Sequence, residues 1–299
     1  MRAQGERRAV VTGATSGIGE AIARSLAASG WTVVIAGRSS ARLSQARDRI
    51  IAAVPDADLR LERADLSLLT EVRELAGRLA REPLPDVVVS NAAVIAPLDD
   101  ITPEGFHRSL AVNHLAPYVL LRSLAGATGA RPARFVIVGA SPAALARVPV
   151  DLADLNARNA RALGPLPFAR AFAAYGRTKN MNAMFGYALA RRLAGTRITV
   201  NGAHPGVISG TGLGRGARGA MKVIGGTLSL FTPGPDAGAD TPVWLATSLD
   251  VADVTGRFFV KRKEVTTAAH TTDAARCDQL WKESARLTGL PESMQAARP

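Results

Sequence analysis

The chain has 299 residues, 47% hydrophobic and 21% charged, which suits one large globular domain and excludes a disordered protein. Its formal charge of +12 is carried mostly by arginines scattered singly or in pairs, such as Arg7-Arg8 and Arg191-Arg192. The densest cluster, Lys261-Arg262-Lys263, runs straight into Glu264, and no aromatic residues interleave the basic ones. That pattern argues for attraction of small anions and against a nucleic-acid surface.

The N-terminal residues lack the apolar stretch of a secretion signal, and no apolar run reaches membrane-spanning length. The expectation is a cytoplasmic protein without membrane insertion. Cys277 is the single cysteine, so no intrachain disulfide can form. Apolar, β-branched runs at 9–12 and 31–36 flank a helical stretch at 20–28, giving a strand-helix-strand unit. The alternation continues with a helix at 41–53, a strand at 58–62, a helix at 67–80, a strand at 86–89 and a long helix at 105–125. The strand at 134–138 is continuously apolar, as suits a parallel strand buried on both faces. A helix at 175–193, strands at 197–201 and 257–260 and a last helix at 273–287 follow. This order predicts an α/β fold, a doubly wound parallel sheet of about seven strands with helices on both faces, in a single domain. Two Gly-, Pro-, Ala- and Arg-rich stretches, 142–171 and 206–240, break the pattern at the carboxyl edge of the sheet and are expected to be substrate loops.

Thr12-Gly13-Ala14-Thr15-Ser16-Gly17-Ile18-Gly19 follows the first strand and opens the first helix. Glycines there permit a tight turn and bring backbone amides and the helix N-terminus up to a pyrophosphate. The second strand ends Gly37-Arg38-Ser39, with no carboxylate for a ribose 2′-hydroxyl and with an arginine suited to a 2′-phosphate, so the expected cofactor is NADP(H). Tyr175 and Lys179, spaced i and i+4, project from one face of a helix. A free phenol has a pKa of about 10, and a nearby ammonium favours its ionised form.

The Thr-Gly-xxx-Gly-x-Gly spacing and the Tyr-xxx-Lys pair, in this order, resemble the short-chain dehydrogenase/reductase family over roughly residues 7 to 288. The resemblance implies a Rossmann-type fold, with Gly13, Thr15, Ser16, Gly17, Ile18 and Gly19 holding the cofactor phosphates beside Arg38. It places Asp65 and Leu66 near the adenine and puts Asn91, Ala92 and Ala93 in the position of an Asn-Asn-Ala-Gly motif, with Ala for its second Asn and for its Gly. Pro205, Gly206 and Val207 match the turn beside the nicotinamide, with Thr211 a carboxamide contact. Tyr175 is implied as general acid/base, Lys179 as its electrostatic partner and a ribose ligand, and Asn113 as the residue supporting the lysine through water.

The family's fourth member is a serine just after the fifth strand. This chain reads Val138-Gly139-Ala140-Ser141, which aligns that serine with Ala140 and leaves Ser141 one residue late. Either the backbone shifts to bring Ser141 in, or the site works without that hydroxyl. His107, His114, His204 and His270 show no metal-ligand spacing, so no metal is expected; Cys277, Trp244 and Trp281 read as core. The segments Val150-Asp151-Leu152-Ala153-Asp154-Leu155-Asn156 and Leu280-Trp281-Lys282-Glu283-Ser284 are similar to retinol dehydrogenase-like and protochlorophyllide reductase-like members. They imply a hydrophobic ketone, aldehyde or alcohol as substrate, which suits Val207, Ile208, Leu213, Met221, Val223 and Ile224 in the second loop. The assembly is left as monomer or homodimer. Two rival functions stay open: a non-catalytic NADP(H)-binding sensor or scaffold, and a double-bond reductase on the same fold.

Overall fold

The computed structural model describes residues 7–81, 83–206 and 233–294. Strands β1 (Arg8–Thr12), β2 (Thr32–Gly37), β3 (Leu59–Arg63), β4 (Val87–Ser90), β5 (Ala133–Val138), β6 (Ile198–His204) and β7 (Arg257–Val260) are parallel. A two-residue β8 (Lys263–Glu264) turns back antiparallel on β7. The order β3-β2-β1-β4-β5-β6-β7-β8 reverses direction between β1 and β4, which opens a crevice at the carboxyl ends of those strands.

Period-two alternation of buried residues builds a core on each face of the sheet. Val10, Val34, Val88, Phe135 and Ile137 face the helices α3 (Leu69–Leu79), α5 (Ala116–Thr128) and α7 (Arg170–Arg192). Val11, Val33, Ile35, Val89 and Val136 face α1 (Gly17–Ala28) and α2 (Ser40–Ala53). Among the described residues no helix is long and apolar enough to cross a membrane.

Three local features depart from the sequence expectations. The long helix begins as α4 (Arg108–Leu110) and passes through a π-helical turn at Ala111–Leu115 before becoming α5. The first expected loop holds a short α6 (Pro142–Ala146) and 3-10 turns at Ala160–Leu163 and Pro167–Ala169, and α7 starts five residues before Tyr175. The end of the second expected loop is a core helix, α8 (Pro235–Thr247), whose Ala239, Leu245 and Ala246 are buried against the α1 face. Pro235 occupies its first turn, where a missing N–H costs nothing. Pro242 lies inside it and disguises the helical pattern.

After the short α9 (Ala269–Thr272), α10 (Ala274–Thr288) closes the fold. Asp273 caps it by accepting from the Arg276 N–H at 2.7 Å, and Gly289 ends it in the left-handed conformation. Trp281 is buried against Tyr118 and Phe185, with ring centroids 5.1 and 6.0 Å away. Cys277 is fully buried, and Trp244 is partly buried edge-on to Phe259. The loop before α7 is ordered by its own polar groups. Asp154 accepts from the N–H groups of Arg158 and Asn159, Asn156 bridges His107 N–H and Gly105 O, and Arg276 reaches Val150 O.

Candidate active site

A cavity of about 460 Å³ runs along the carboxyl edge of the sheet, from the β1–α1 loop to the first turns of α7. At one end it is lined by Gly13, Thr15, Ser16, Gly17, Ile18 and Gly19. Gly13 has φ +67°, and a Cβ there would stand 2.8 Å from the Ala92 Cα. A Cβ on Gly19 would stand 2.4 Å from both the Asn91 amide nitrogen and the Gly13 carbonyl oxygen. Asn91 donates from Nδ2 to Thr12 O at 3.0 Å, while the Thr12 hydroxyl accepts from the Asn91 and Ala92 N–H groups. The β4 exit is thereby fastened to the glycine turn. Side chains at Gly13 or Gly19 would fill the space that keeps this turn narrow, and the N-terminus of α1 opens beyond it.

Arg38 lines the same end and is exposed, and Arg42, in the first turn of α2, lines it as well. Neither guanidinium forms an ion pair among the described residues. Ser39 caps α2 between them, accepting from the Arg42 N–H at 3.4 Å. Further along, Asp65 and Leu66 line the wall, and the Asp65 carboxylate accepts from the Ser67 N–H and hydroxyl at 2.9 and 2.8 Å. Arg108 joins this wall, hydrogen-bonded to Asp100 and to the Ser67 hydroxyl, and the Asp100 bond raises its pKa. Asn91, Ala92 and Ala93 form the floor.

At the other end Tyr175 and Lys179 face the cavity from α7, together with Val138, Gly139, Ala140, His204, Pro205 and Gly206. The Lys179 Nζ donates to Val138 O at 3.0 Å and lies 5.8 Å from the centre of the Tyr175 ring. Burial pushes the lysine pKa down to about 8 and the tyrosine up to about 12. Asn113 stands behind the wall in the π-helical turn, fully buried. Its Oδ1 accepts from Val94 N–H at 2.8 Å, and its Nδ2 donates to Val94 O and to the Thr178 hydroxyl, each at 2.9 Å.

Ala140, not Ser141, lines the cavity; Ser141 is the residue from which α6 starts. Val207 and Thr211, with the apolar residues expected between 207 and 224, lie outside the described residues. Arg42 and Arg108 line the cavity without having been singled out in the sequence, and His204, weighed there only as a metal ligand, lines it as well. Arg42 could have been found, because it follows Arg38 by one helical turn. Nothing local marks the other two. Among the described residues no group of acidic, histidine or cysteine side chains could hold a metal ion.

A reversing parallel sheet with a glycine turn at the head of its crevice defines a Rossmann-type nucleotide-binding protein. The family model described as short chain dehydrogenase matches residues 7–151. Human (Homo sapiens) retinol dehydrogenase 13 is 31% identical over 94% of this chain and 84% of its own length. Polyprenol dehydrogenase of Mus musculus is 34% identical over 95% and 84%. A short chain dehydrogenase from Burkholderia cenocepacia, solved in complex with NADP, superposes with a TM-score of 0.65 at 25% identity, covering 87% of this chain and 97% of its own. The chain belongs to the short-chain dehydrogenase/reductase family of oxidoreductases, with retinol dehydrogenase-like proteins among its relatives.

Proposed function

We propose that this protein is an NADP(H)-dependent carbonyl reductase or alcohol dehydrogenase acting on a bulky apolar ketone, aldehyde or alcohol. The observation that carries the reading is one continuous cavity with a glycine turn and two arginines, free of ion pairs among the described residues, at one end and a Tyr-Lys pair at the other. The residues fit the dinucleotide: Gly13 and Gly19 stand where a Cβ would collide, and β2 ends without a carboxylate but with Arg38. Gly13, Thr15, Ser16, Gly17, Ile18 and Gly19 would hold its phosphates, Arg38 and Arg42 its 2′-phosphate, Asp65 and Leu66 its adenine side, and Lys179 with Pro205 and Gly206 its nicotinamide side. When bound, NADP(H) supplies or accepts the hydride.

The protein's own contribution is the proton. With its pKa near 12, Tyr175 is a phenol at neutral pH and serves as the acid that protonates a substrate oxygen. The phenolate left behind is stabilised by the Lys179 ammonium. That attraction acts from an Nζ that lies 5.8 Å from the centre of the Tyr175 ring. It opposes the burial that disfavours the charge. A positioned proton donor of this kind contributes roughly 10²–10⁴-fold to rate.

The apolar substrate class is supported by Val94 and Val112 in the wall and by exposed Phe172, whose ring centre lies 5.9 Å from that of Tyr175. It is also supported by the retinol and polyprenol in the relatives' names. The test is NADPH oxidation with a panel of hydrophobic ketones, aldehydes and quinones, comparing wild type with Tyr175→Phe. Turnover that vanishes in the mutant is the expected result. NADPH binding without turnover of any compound would favour instead a cofactor-binding sensor, the reading that Ala140 in place of a serine supports.

A further inference from the structure

Among the described residues, the reacting end of the cavity has a gap in its polar lining. Tyr175 offers one hydroxyl, but the end of β5 presents the methyl of Ala140, and Ser141 stands outside the lining. The neighbouring strand ends in a group able to fill that role. Val138 pairs with Ala203, and the Gly139 N–H donates to Ala203 O at 2.8 Å, so His204 sits beside Gly139, next to Ala140. Along β6, Ile198 and Val200 pack in the core shared with α7, while Ala203 packs in the opposite one. The alternation places His204 on the α7 face, the face from which Tyr175 and Lys179 approach. Lys179, bonded to Val138 O, fixes the helix to this same strand end.

The His204 ring lines the cavity, and its Nδ1 is buried without a hydrogen-bond partner among the described residues. Burial lowers the pKa of the ring, so at neutral pH it is an uncharged imidazole that keeps one N–H to donate.

We infer that His204 is the second hydrogen-bond donor to the substrate oxygen, filling the role that a hydroxyl at Ala140 would have. The inference rests on the reading of the site as a carbonyl reductase. In reduction the carbonyl π bond breaks, and the carbon takes the hydride supplied by the reduced cofactor. The oxygen takes the Tyr175 proton, and the phenolate is reprotonated from water. His204 keeps its own proton throughout and stabilises the charge developing on the oxygen.

The test compares wild type, His204→Phe, His204→Gln and Ala140→Ser, alone and combined, on whichever carbonyl the panel identifies. Two readouts are taken: kcat/KM, and the affinity of the product alcohol for the NADPH-bound protein by nicotinamide fluorescence. The expected result is a loss in kcat/KM of about 10²-fold for His204→Phe, with weaker alcohol binding and unchanged NADPH affinity. Gln, which keeps an N–H donor, recovers part of the loss. Ala140→Ser recovers activity in the Phe background. His204→Phe within twofold of wild type, while Tyr175→Phe is inactive, overturns the inference and leaves the reductase reading standing. Equal losses for Phe and Gln with no recovery by Ala140→Ser also overturn it, because they mark a packing role. A wild type that turns over no carbonyl overturns both.

Discussion

Asn113→Ala tests the scaffold behind the site without needing a substrate. One buried amide joins the loop after β4 to α7: it satisfies both backbone groups of Val94 and donates to Thr178, whose hydroxyl donates onward to Tyr175 O at 2.7 Å. Truncation leaves Thr178 that onward bond but strips Val94 of partners for its N–H and its C=O. An orphaned buried group costs about 1–3 kcal/mol. Val94 is only half-buried, so water recovers part of this, and the expected loss for the pair is about 2–4 kcal/mol. A fold of ordinary stability, roughly 5–15 kcal/mol, survives that loss. Urea denaturation should show a lowered midpoint with an unchanged slope. Asn113→Asp should be worse than Ala, because it sets a carboxylate oxygen against Val94 O and buries a charge without a cation. A loss below about 1 kcal/mol for Ala, or an Asp variant more stable than the Ala one, would refute this account of the clamp.

Arg38→Ala should weaken NADPH about tenfold, the lower end of what a charge-assisted hydrogen bond contributes at an exposed site, and leave NADH unchanged; titration calorimetry with the two nucleotides checks it, and equal losses would rule out a 2′-phosphate contact. Gly19→Ala should abolish tight nucleotide binding, because the Gly13 carbonyl 2.4 Å from the new Cβ is backbone and cannot step aside. Gly77→Ala, in α3 with nothing within 4 Å, should instead stabilise the protein by about 0.5–1 kcal/mol in the same denaturation assay. Carbonyl reduction should hold steady near pH 7 and fall as pH rises through about 8, where Lys179 loses its charge, while Tyr175 with a pKa near 12 stays protonated. A flat profile between those two values would separate Lys179 from the proton step.

Much of the site was legible because its signals are local. The glycine turn follows a strand and opens a helix within eight residues, and Tyr175 and Lys179 share a helix face at any position of that helix. Their pairing therefore survived the misplaced start of α7, which begins at Arg170. Alternating burial in β1 and β2, and the apolar run of β5, mark a sheet covered on both faces wherever each strand lies in it. Local signals failed where composition masks conformation: two prolines and several small residues hid the helix Pro235–Thr247, and a π-helical turn leaves no mark that separates it from an α-helix.

The sequence by itself determined the fold class, the glycine turn, the Arg38 position and the Tyr175-Lys179 pair, because each rests on a period or a spacing within one or two elements. Only the tertiary structure decided that Ala140 and not Ser141 faces the cavity, that Arg108 joins its wall, and that His204 stands beside the end of β5. Those facts depend on how strands far apart in the chain are set side by side. A register shift of one residue would turn His204 to the other face of the sheet, and no spacing along the chain records which register forms.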